Sequence, residues 1–507
     1  MPVPRSVTAW TSRNGWLVAI AVAYLYVFPY FPAVHSANEL PRVYLVQGIV
    51  DEHTFAVDRG VGRWGPTADV SPSNGHQYSN KAPGASFLAV PAYALVRLVA
   101  EPGLAASLWL CRVMAGVVPT LLFLWLLVGF LERITPDLGV RRLVAITYAL
   151  GSMAMTYSVL FYSHQLAAVC IAGAWMLALD VADRKRGLGA MAVAGFLAGY
   201  APCADYQGIF AALPVAIHIV WRMRAWPKRE LAKAIAVATV AALPPIILLL
   251  GYHAACFGSP WRTGYDASET FANFHQHGFL GITALRGEAF VGSFLSADNG
   301  LFTLAPWLLL AVPGAVYAWR KDRALALTCL GAIAIYVLFI SSINFWRGGW
   351  GVGPRYITEL IPFALPLVCA ALAAWRDKPW ALAGAGGLIA VGVTVYVVSS
   401  ATFPYWPEMF KDPLYDVAFH LLRDNAVAPS LGSAVGLDGI VGIVPYLLIA
   451  FGAVGWALHR VAGWRVVVAA AMLGAALVAA YALFPRGENL ARPYRWVHEA
   501  VVHREGV

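Results

Sequence analysis

Charge is scarce in this 507-residue chain: Asp, Glu, Lys and Arg make up only 12% of it, while 60% is hydrophobic, against about 25% and 45–50% in soluble domains. That deficit excludes a soluble globule. Cysteine is sparse too. The six, Cys111, Cys170, Cys203, Cys256, Cys329 and Cys369, stand singly in or at the ends of apolar stretches. With no CxxC or Cys/His cluster they read as packing residues, which excludes a disulfide framework and a thiolate metal site. No GxxxxGK[ST] run is present, so a nucleotide P-loop is excluded. No fixed-period repeat or low-complexity linker divides the chain, and no polar segment reaches the ~100–150 residues of an independent domain. Residues 1–507 therefore read as a single integral membrane domain.

What the chain has in quantity is apolar runs of about 17–25 residues, each able to cross a ~30 Å hydrocarbon core as a helix. Thirteen candidate spans fall at 16–34, 105–131, 143–161, 166–182, 189–204, 206–221, 234–256, 300–318, 326–343, 356–374, 380–398, 436–458 and 465–484. The stretch 84–100 is apolar as well, but it is short, with Pro91 in its middle and Arg97 near its end. It reads as an interfacial or re-entrant helix on the outer side. Six inner loops then follow in order, ERITPDLGVRR, DRKRGLG, WRMRAWPKRELAK, WRKDR, WRDK and HRVAGWR. All are basic, as the positive-inside rule requires, with the amino terminus in the cytoplasm. This pattern accounts for the net charge of +9 without any nucleic-acid partner. The segment 16–34 ends in YVFPYFP without a small-x-small cleavage site, and so reads as an uncleaved first span. The expected class is an all-α polytopic membrane protein of about 13 transmembrane helices with outer-face loops and juxtamembrane helices.

The outer segments are long, polar and aromatic, so chemistry is expected there. They are the first loop (35–104), a second major loop (257–299), the connection 344–355, the segment 399–435 and a carboxy-terminal tail (485–507). In HSANELPRVYLVQGIV, Asn38 suits a helix N-cap, Pro41 a first turn, and Val43, Val46 and Val50 recur at helical spacing, predicting a short amphipathic surface helix. Glu39 then lies in its first turn, either as a dipole-stabilising surface acid or as a carboxylate facing the space the outer loops enclose. Lys81, before Pro83, either snorkels at a helix end or binds a lipid phosphate. Arg112 lies inside a span, ~10 Å deep at 1.5 Å per residue; a guanidinium there needs a partner, an ion pair or an anionic ligand. FWRGGWGVGPRYITEL offers Arg347 and Arg355 among glycines that let a ligand approach closely. Asn38, Arg42, Tyr44, Asp58, Tyr78, Asn80, His164, Asp205, Tyr265, Asp298 and Tyr356 are candidates to line the same cavity, although those at span ends read equally as capping residues. His275 and His277 form a lone HxH, too few ligands for a metal site.

These elements in this order resemble the GT-C superfamily of polyprenyl-phosphate-sugar glycosyltransferases, which includes the protein O-mannosyltransferases and the aminoarabinose transferase of lipid A. In those families the first loop reads approximately D-E-x-R-Y, then E-K-P-P some tens of residues later. Setting Arg42 against the family Arg puts Glu39 on the acidic position regarded as the catalytic base. Asn80-Lys81-Ala82-Pro83 falls on the second element, so Lys81 matches the lysine that contacts the lipid phosphate. Glu replaces the usual Asp, and Asn80 replaces the acid before the lysine. Arg112 matches an arginine closing an A-A-R-L-like run. FGSPWRTGY, SADNGLF and GVGPRY resemble motifs of bacterial members.

The resemblance implies a GT-C-like bundle in a bacterial-type inner membrane, with its site on the extracytoplasmic side. The reaction would move a sugar from a polyprenyl-phosphate donor to a hydroxyl of a glycan, lipid or protein acceptor, with inversion. Glu39 would be general base, and Lys81, Arg355, Arg112 and Arg347 would bind the donor phosphate. A monophosphate leaving group does not require a divalent metal, and no D-x-D carboxylate cluster is present, so no cofactor is expected. The rivals are an oligosaccharide ligase or polymerase, and a lipid-linked glycan transporter or flippase. A transporter predicts internal symmetry and ionisable groups at the bilayer midplane, whereas here the unusual residues sit in outer loops.

Overall fold

The computed structural model describes residues 5–270, 272–275, 278 and 281–503. The chain opens with α1 (Arg5–Tyr26), α2 (Leu40–Asp51), α3 (Asp58–Trp64), a hairpin of β1 (Val70–Ser73) and β2 (His76–Ser79), and α4 (Gly84–Arg97). α5 (Leu104–Arg112) runs through a π-helical turn, Val113–Val117, into α6 (Val118–Phe130). Pro119 has no N–H to offer the turn before it, and the helical ladder widens there. Next come α7 (Leu138–Leu150), α8 (Met153–Ser158), α9 (His164–Ala182), α10 (Leu188–Ala204), α11 (Ala212–Arg222), α12 (Lys228–Phe257) and the short α13 (Ala272–His275). They are followed by α14 (Gly287–Phe294), α15 (Leu301–Leu304), α16 (Ala311–Lys321), α17 (Arg323–Ser342), α18 (Ile361–Ala374) and α19 (Pro379–Ala401). The chain closes with α20 (His420–Arg423), α21 (Leu431–Ala434), α22 (Gly439–Ala462), α23 (Trp464–Ala480) and α24 (Ala491–Val502).

Among the described residues, eight helices are long and apolar enough to cross a membrane, and Asn14–Tyr26, Gly84–Arg97 and Leu188–Ala204 are shorter apolar helices. Three of the thirteen predicted spans are broken helices. The segment 143–161 is divided at Gly151–Ser152, where the Ser152 hydroxyl caps α8 by accepting from Ala154 N at 3.1 Å. In 300–318, Pro306 separates α15 from a 3-10 turn that leads into α16. In 206–221, a 3-10 turn at Tyr206–Ile209 precedes α11, whose 11 residues rise only ~16 Å. Irregular backbone of this kind is tolerated at membrane depth where protein encloses it.

All six basic loops meet at one end of the bundle. Arg133 reaches Asp180 at 2.5 Å and also pairs with Asp183, while Arg222 joins Asp183 at 2.8 Å to Asp322 at 3.3 Å. Arg376 ties the fifth loop to Asp137 of the first, and donates to the Val461 carbonyl of the sixth. Charge counting along the chain and polar contacts in space thus group the same loops.

The first loop departs from expectation. α2 begins at Leu40 with Glu39 as N-cap, and Asn38 makes no capping bond. Nor is α2 an amphipathic surface helix, because Leu40 through Gly48 are buried all round. α4 packs against it, with Tyr93 (3.0 Å) and Arg97 (2.9 Å) both donating to Asp51. α4 is therefore fastened at its far end to the end of α2. In a background without the native cysteines, Gly103→Cys should react with a membrane-impermeant maleimide on intact cells, and Gly187→Cys only after permeabilisation. Labelling of Gly103→Cys from the cytoplasmic side alone would show that α4 crosses.

Candidate active site

Pro29 and Pro32 stop α1 at Tyr26, because proline withholds a backbone donor and disfavours helix in the residue before it. The chain then runs irregularly to Glu39 and lays it against three other interruptions. These are the π turn after Arg112, the non-helical link between α8 and α9, and the stretch after α19 that carries Tyr405. Glu39 is 1% exposed, and its carboxylate accepts four hydrogen bonds. Oε1 takes Arg112 Nε (2.9 Å) and the Phe161 backbone N–H (2.6 Å), and Oε2 takes Arg112 Nη2 (3.0 Å) and the Tyr405 hydroxyl. Burial, and next the Glu39 charge, push the Tyr405 phenol well above its ordinary value, so it stays a donor. Arg112 also lies 4.8 Å over the Phe28 ring.

Two cavities flank this cluster. The larger, about 580 Å³, is lined by Asn38, Asp69, Lys81, Tyr162, Gly348, Gly349, Trp350, Arg355, Tyr356, Tyr405, Glu408 and Trp496 among others. The smaller, about 310 Å³, is lined by Glu39, Tyr30, Arg63, Trp64 and Leu108 among others. They share Val34, His35, Ser36 and Tyr405.

Lys81 and Asp69 flank the hairpin. An Asn74-Gly75 turn with both residues at positive φ (52° and 81°) matches the right-handed twist of the strands, and the ladder Val70↔Ser79 continues with Asn80 N donating to Asp69 O at 3.3 Å. Lys81 Nζ consequently sits 2.8 Å from Asp69 Oδ2 and 3.5 Å from the Tyr265 hydroxyl. Lysine has three donors, so one beyond these two is available to a ligand. Arg355 enters the same cavity from the glycine-rich turn. Its Nη1 donates to Trp350 O at 3.3 Å, its guanidinium stacks 5.2 Å from the Tyr162 ring, and among the described residues nothing accepts from Nε. A Cβ at Gly348, which has φ +71°, would lie 3.0 Å from that Nε; only glycine lets the backbone pass so close. Burial raises the Tyr162 and Tyr265 phenols as well, leaving neutral rings around the two cations.

Of the residues nominated from sequence, Asn38, Lys81, Arg355 and Tyr356 line the larger cavity and Glu39 the smaller. Others are committed to the scaffold and line neither. Arg112 spends its fork on Glu39, and Arg347 is held by Asp298 at 2.5 Å. Arg42 donates to Asn38 Oδ1 (3.2 Å), Ala82 O (3.0 Å) and Ser163 Oγ (2.8 Å), while Ser163 donates to Asp205 (2.8 Å), which also faces His164 at 2.7 Å. That network joins α2, α9 and the end of α10. Tyr44 donates to Gly65 O (3.1 Å), and Asp58 pairs with His76 (2.8 Å) on the surface. Tyr78 packs edge-on against Phe257 with ring centroids 6.0 Å apart, and Asn80 is buried against Gly264. Tyr265 stands behind Lys81. His277 and the side chain of His275 lie outside the described residues, and among those described no three His, Cys, Asp or Glu converge as a metal-binding group.

Sequence reasoning missed Asp69, Tyr405 and Trp496. The Asn-Gly turn between two short β-prone runs was the available signal for Asp69. Nothing local marks Tyr405 or Trp496, which arrive from the segment after α19 and from α24.

No family model and no curated protein matches the chain. Among solved structures it is similar to ArnT from Cupriavidus metallidurans in the apo state, at 15% identity and TM-score 0.49 over 93% of this chain and 78% of that one. It is similar to the same protein bound to undecaprenyl phosphate at 16% and 0.49, over 92% and 78%. It is also similar to the apo oligosaccharyltransferase of Archaeoglobus fulgidus at 13% and 0.48, over 82% and 58%. Both are GT-C proteins.

The buried pair makes Glu39 structural whatever else it does. Glu39→Gln leaves the Arg112 guanidinium without its countercharge, and breaking a buried pair this way costs about 3–5 kcal/mol, so the melting temperature in detergent should fall. Glu39→Gln with Arg112→Met removes the stranded charge and should recover most of that loss while remaining inactive. A double variant regaining turnover to within a few-fold of wild type would remove Glu39 from the chemistry.

Proposed function

We propose that the protein is a membrane glycosyltransferase that moves a sugar from a polyprenyl-monophosphate donor to an acceptor hydroxyl, with inversion, at the extracytoplasmic face of a bacterial-type inner membrane. One juxtaposition carries this proposal: a cavity bearing two cations, Lys81 and Arg355, meets a second cavity bearing a carboxylate, Glu39, across His35, Ser36 and Tyr405. Inversion needs the nucleophile and the leaving group on opposite sides of the anomeric carbon. The donor phosphate would occupy the larger cavity and the acceptor the smaller, with the anomeric carbon near the shared wall.

In that arrangement the acceptor oxygen attacks the anomeric carbon, its proton passes to Glu39, and the carbon–oxygen bond to phosphate breaks with its electron pair leaving on the phosphate. General-base assistance of this kind contributes ~10²–10⁴-fold. The charge that builds on the leaving phosphate meets the ammonium of Lys81 and the guanidinium of Arg355, fixed before reaction by Asp69 and by the glycine turn, so little reorganisation is needed. Tyr405 and Arg112 orient Glu39. Because the carboxylate is already bound by four donors, an acceptor hydroxyl must take the place of one of them, and Tyr405, which lines both cavities, is the donor positioned to yield.

Two variants test the donor side. Lys81→Ala and Arg355→Ala should each weaken binding of a polyprenyl-phosphate sugar and of bare polyprenyl phosphate alike, since both share the anion and losing a charged hydrogen bond costs ~1.5–3 kcal/mol. Unchanged affinity for bare polyprenyl phosphate in both variants would place the phosphate elsewhere.

A further inference from the structure

α24 lies beside the larger cavity and brings one side chain into it. Trp496 lines that cavity together with Trp350, and the two rings meet edge to face, with centroids 5.5 Å apart and planes at 75°. Such a pair uses one face of one ring, so each ring keeps at least one face that its partner leaves uncovered. Trp496 is 40% exposed, and α24 has anchors besides it. Val497, Ala500 and Val501 are buried, and the Tyr494 hydroxyl donates to Asp424 at 2.6 Å. Glu408 lines the same cavity, with its side chain 45% exposed. Its ion-pair partner among the described residues, Arg347, lies 3.8 Å away, beyond hydrogen-bond range, and is held instead by Asp298. The Glu408 carboxylate therefore keeps acceptor capacity for a ligand.

These groups stand between the phosphate side of the cavity and the wall it shares with the smaller one. Trp350 adjoins a phosphate-side cation, because Arg355 Nη1 donates to its carbonyl at 3.3 Å. Glu408 follows Tyr405, which lines both cavities, by three residues. A sugar ring carries C–H groups on its faces and hydroxyls around its edge, so aromatic planes match the first and a carboxylate the second. Resting on the donor reading above, we infer that Trp496 and Trp350 hold the face of the donor's sugar while Glu408 accepts from its hydroxyls, which selects a non-acidic sugar. A prenyl chain does not suit this place, since it would strip water from the Glu408 carboxylate and offer no hydrogen bond in return. A uronic acid would set a second carboxylate against it.

The test measures binding to the full chain in detergent by isothermal titration calorimetry. The ligands are bare polyprenyl phosphate and polyprenyl phosphate carrying glucose, galactose, mannose or glucuronic acid. Wild type should bind at least one neutral-sugar donor more tightly than the bare lipid, and the glucuronic acid donor no more tightly than the bare lipid. Trp496→Ala should weaken the favoured donor about fivefold or more, as expected for a lost aromatic contact, with the bare lipid unaffected, and Trp496→Phe should keep most of the wild-type affinity. Glu408→Ala should weaken the same donor about tenfold, as for a lost charged hydrogen bond, again sparing the bare lipid; its half-exposed side chain keeps the experiment readable where Trp496→Ala does not fold. Lys81→Ala should weaken both ligands, which separates the phosphate contacts from the sugar contacts. A wild type that binds no polyprenyl lipid would overturn the donor reading and this inference with it. Where wild type binds them, indifference to the sugar, or Trp496→Ala and Glu408→Ala changing sugar-bearing and bare lipid alike, would overturn this inference alone. Binding of the glucuronic acid donor as tight as that of the best neutral sugar would overturn the selection against acidic sugars.

Discussion

The Glu39–Arg112 ion pair is the constraint on which the rest of the cavity-bearing end of the bundle depends. Both side chains are almost wholly withdrawn from solvent, and removing two ions from water costs several kcal/mol each unless geometry and further hydrogen bonds offset it. The protein meets that requirement by bringing four breaks in regular structure to one point: the proline-rich exit from α1, the π turn after Arg112, the link between α8 and α9, and the segment after α19. Each break presents a group that a continuous helix would have used internally or pointed elsewhere. The Phe161 N–H is free to bond Glu39 because α8 has ended, and Tyr405 reaches Glu39 because its chain is extended between Pro404 and Pro407. The walls of the two cavities follow from where these four segments meet.

The cations of the larger cavity are held on a different principle. Lys81 is kept by a carboxylate and Arg355 by aromatic faces and a backbone carbonyl, so each is fixed while retaining donor capacity. Arg347, from the same glycine-rich connection as Arg355, has its guanidinium claimed by Asp298. Two arginines eight residues apart thus differ in what they can do for a ligand because only one of them has a carboxylate in contact.

Much of the helical framework was legible in the sequence, because apolar run length and loop charge are set by the bilayer rather than by tertiary detail. The six basic loops found by counting residues are the six that ion pairs and one arginine–carbonyl hydrogen bond join in space. Where reading failed, a local cue was outweighed by packing. Val43, Val46 and Val50 have surface-helix spacing, yet α2 is covered on every side by α3, α4 and the hairpin, so its polar positions face protein. Arg42 and Asp205 carry the charge and position of ligand contacts but serve a buried network between helices. Ser163, which bonds both, is unremarkable in sequence. Asp69 was written in the Asn-Gly hairpin signal, whereas Tyr405 was not legible at all, since its importance comes only from meeting Glu39 across more than 360 residues of chain.

The central claim is that a lipid-linked sugar is the donor. The purified protein, supplied with acceptor glycans and a panel of labelled sugars carried either on polyprenyl monophosphate or on a nucleotide, tests it directly. Label should appear on an acceptor only from the lipid-linked donor, with one polyprenyl phosphate released for each sugar transferred and the anomeric configuration inverted. Transfer from a nucleotide sugar in the absence of any polyprenyl lipid would contradict the account.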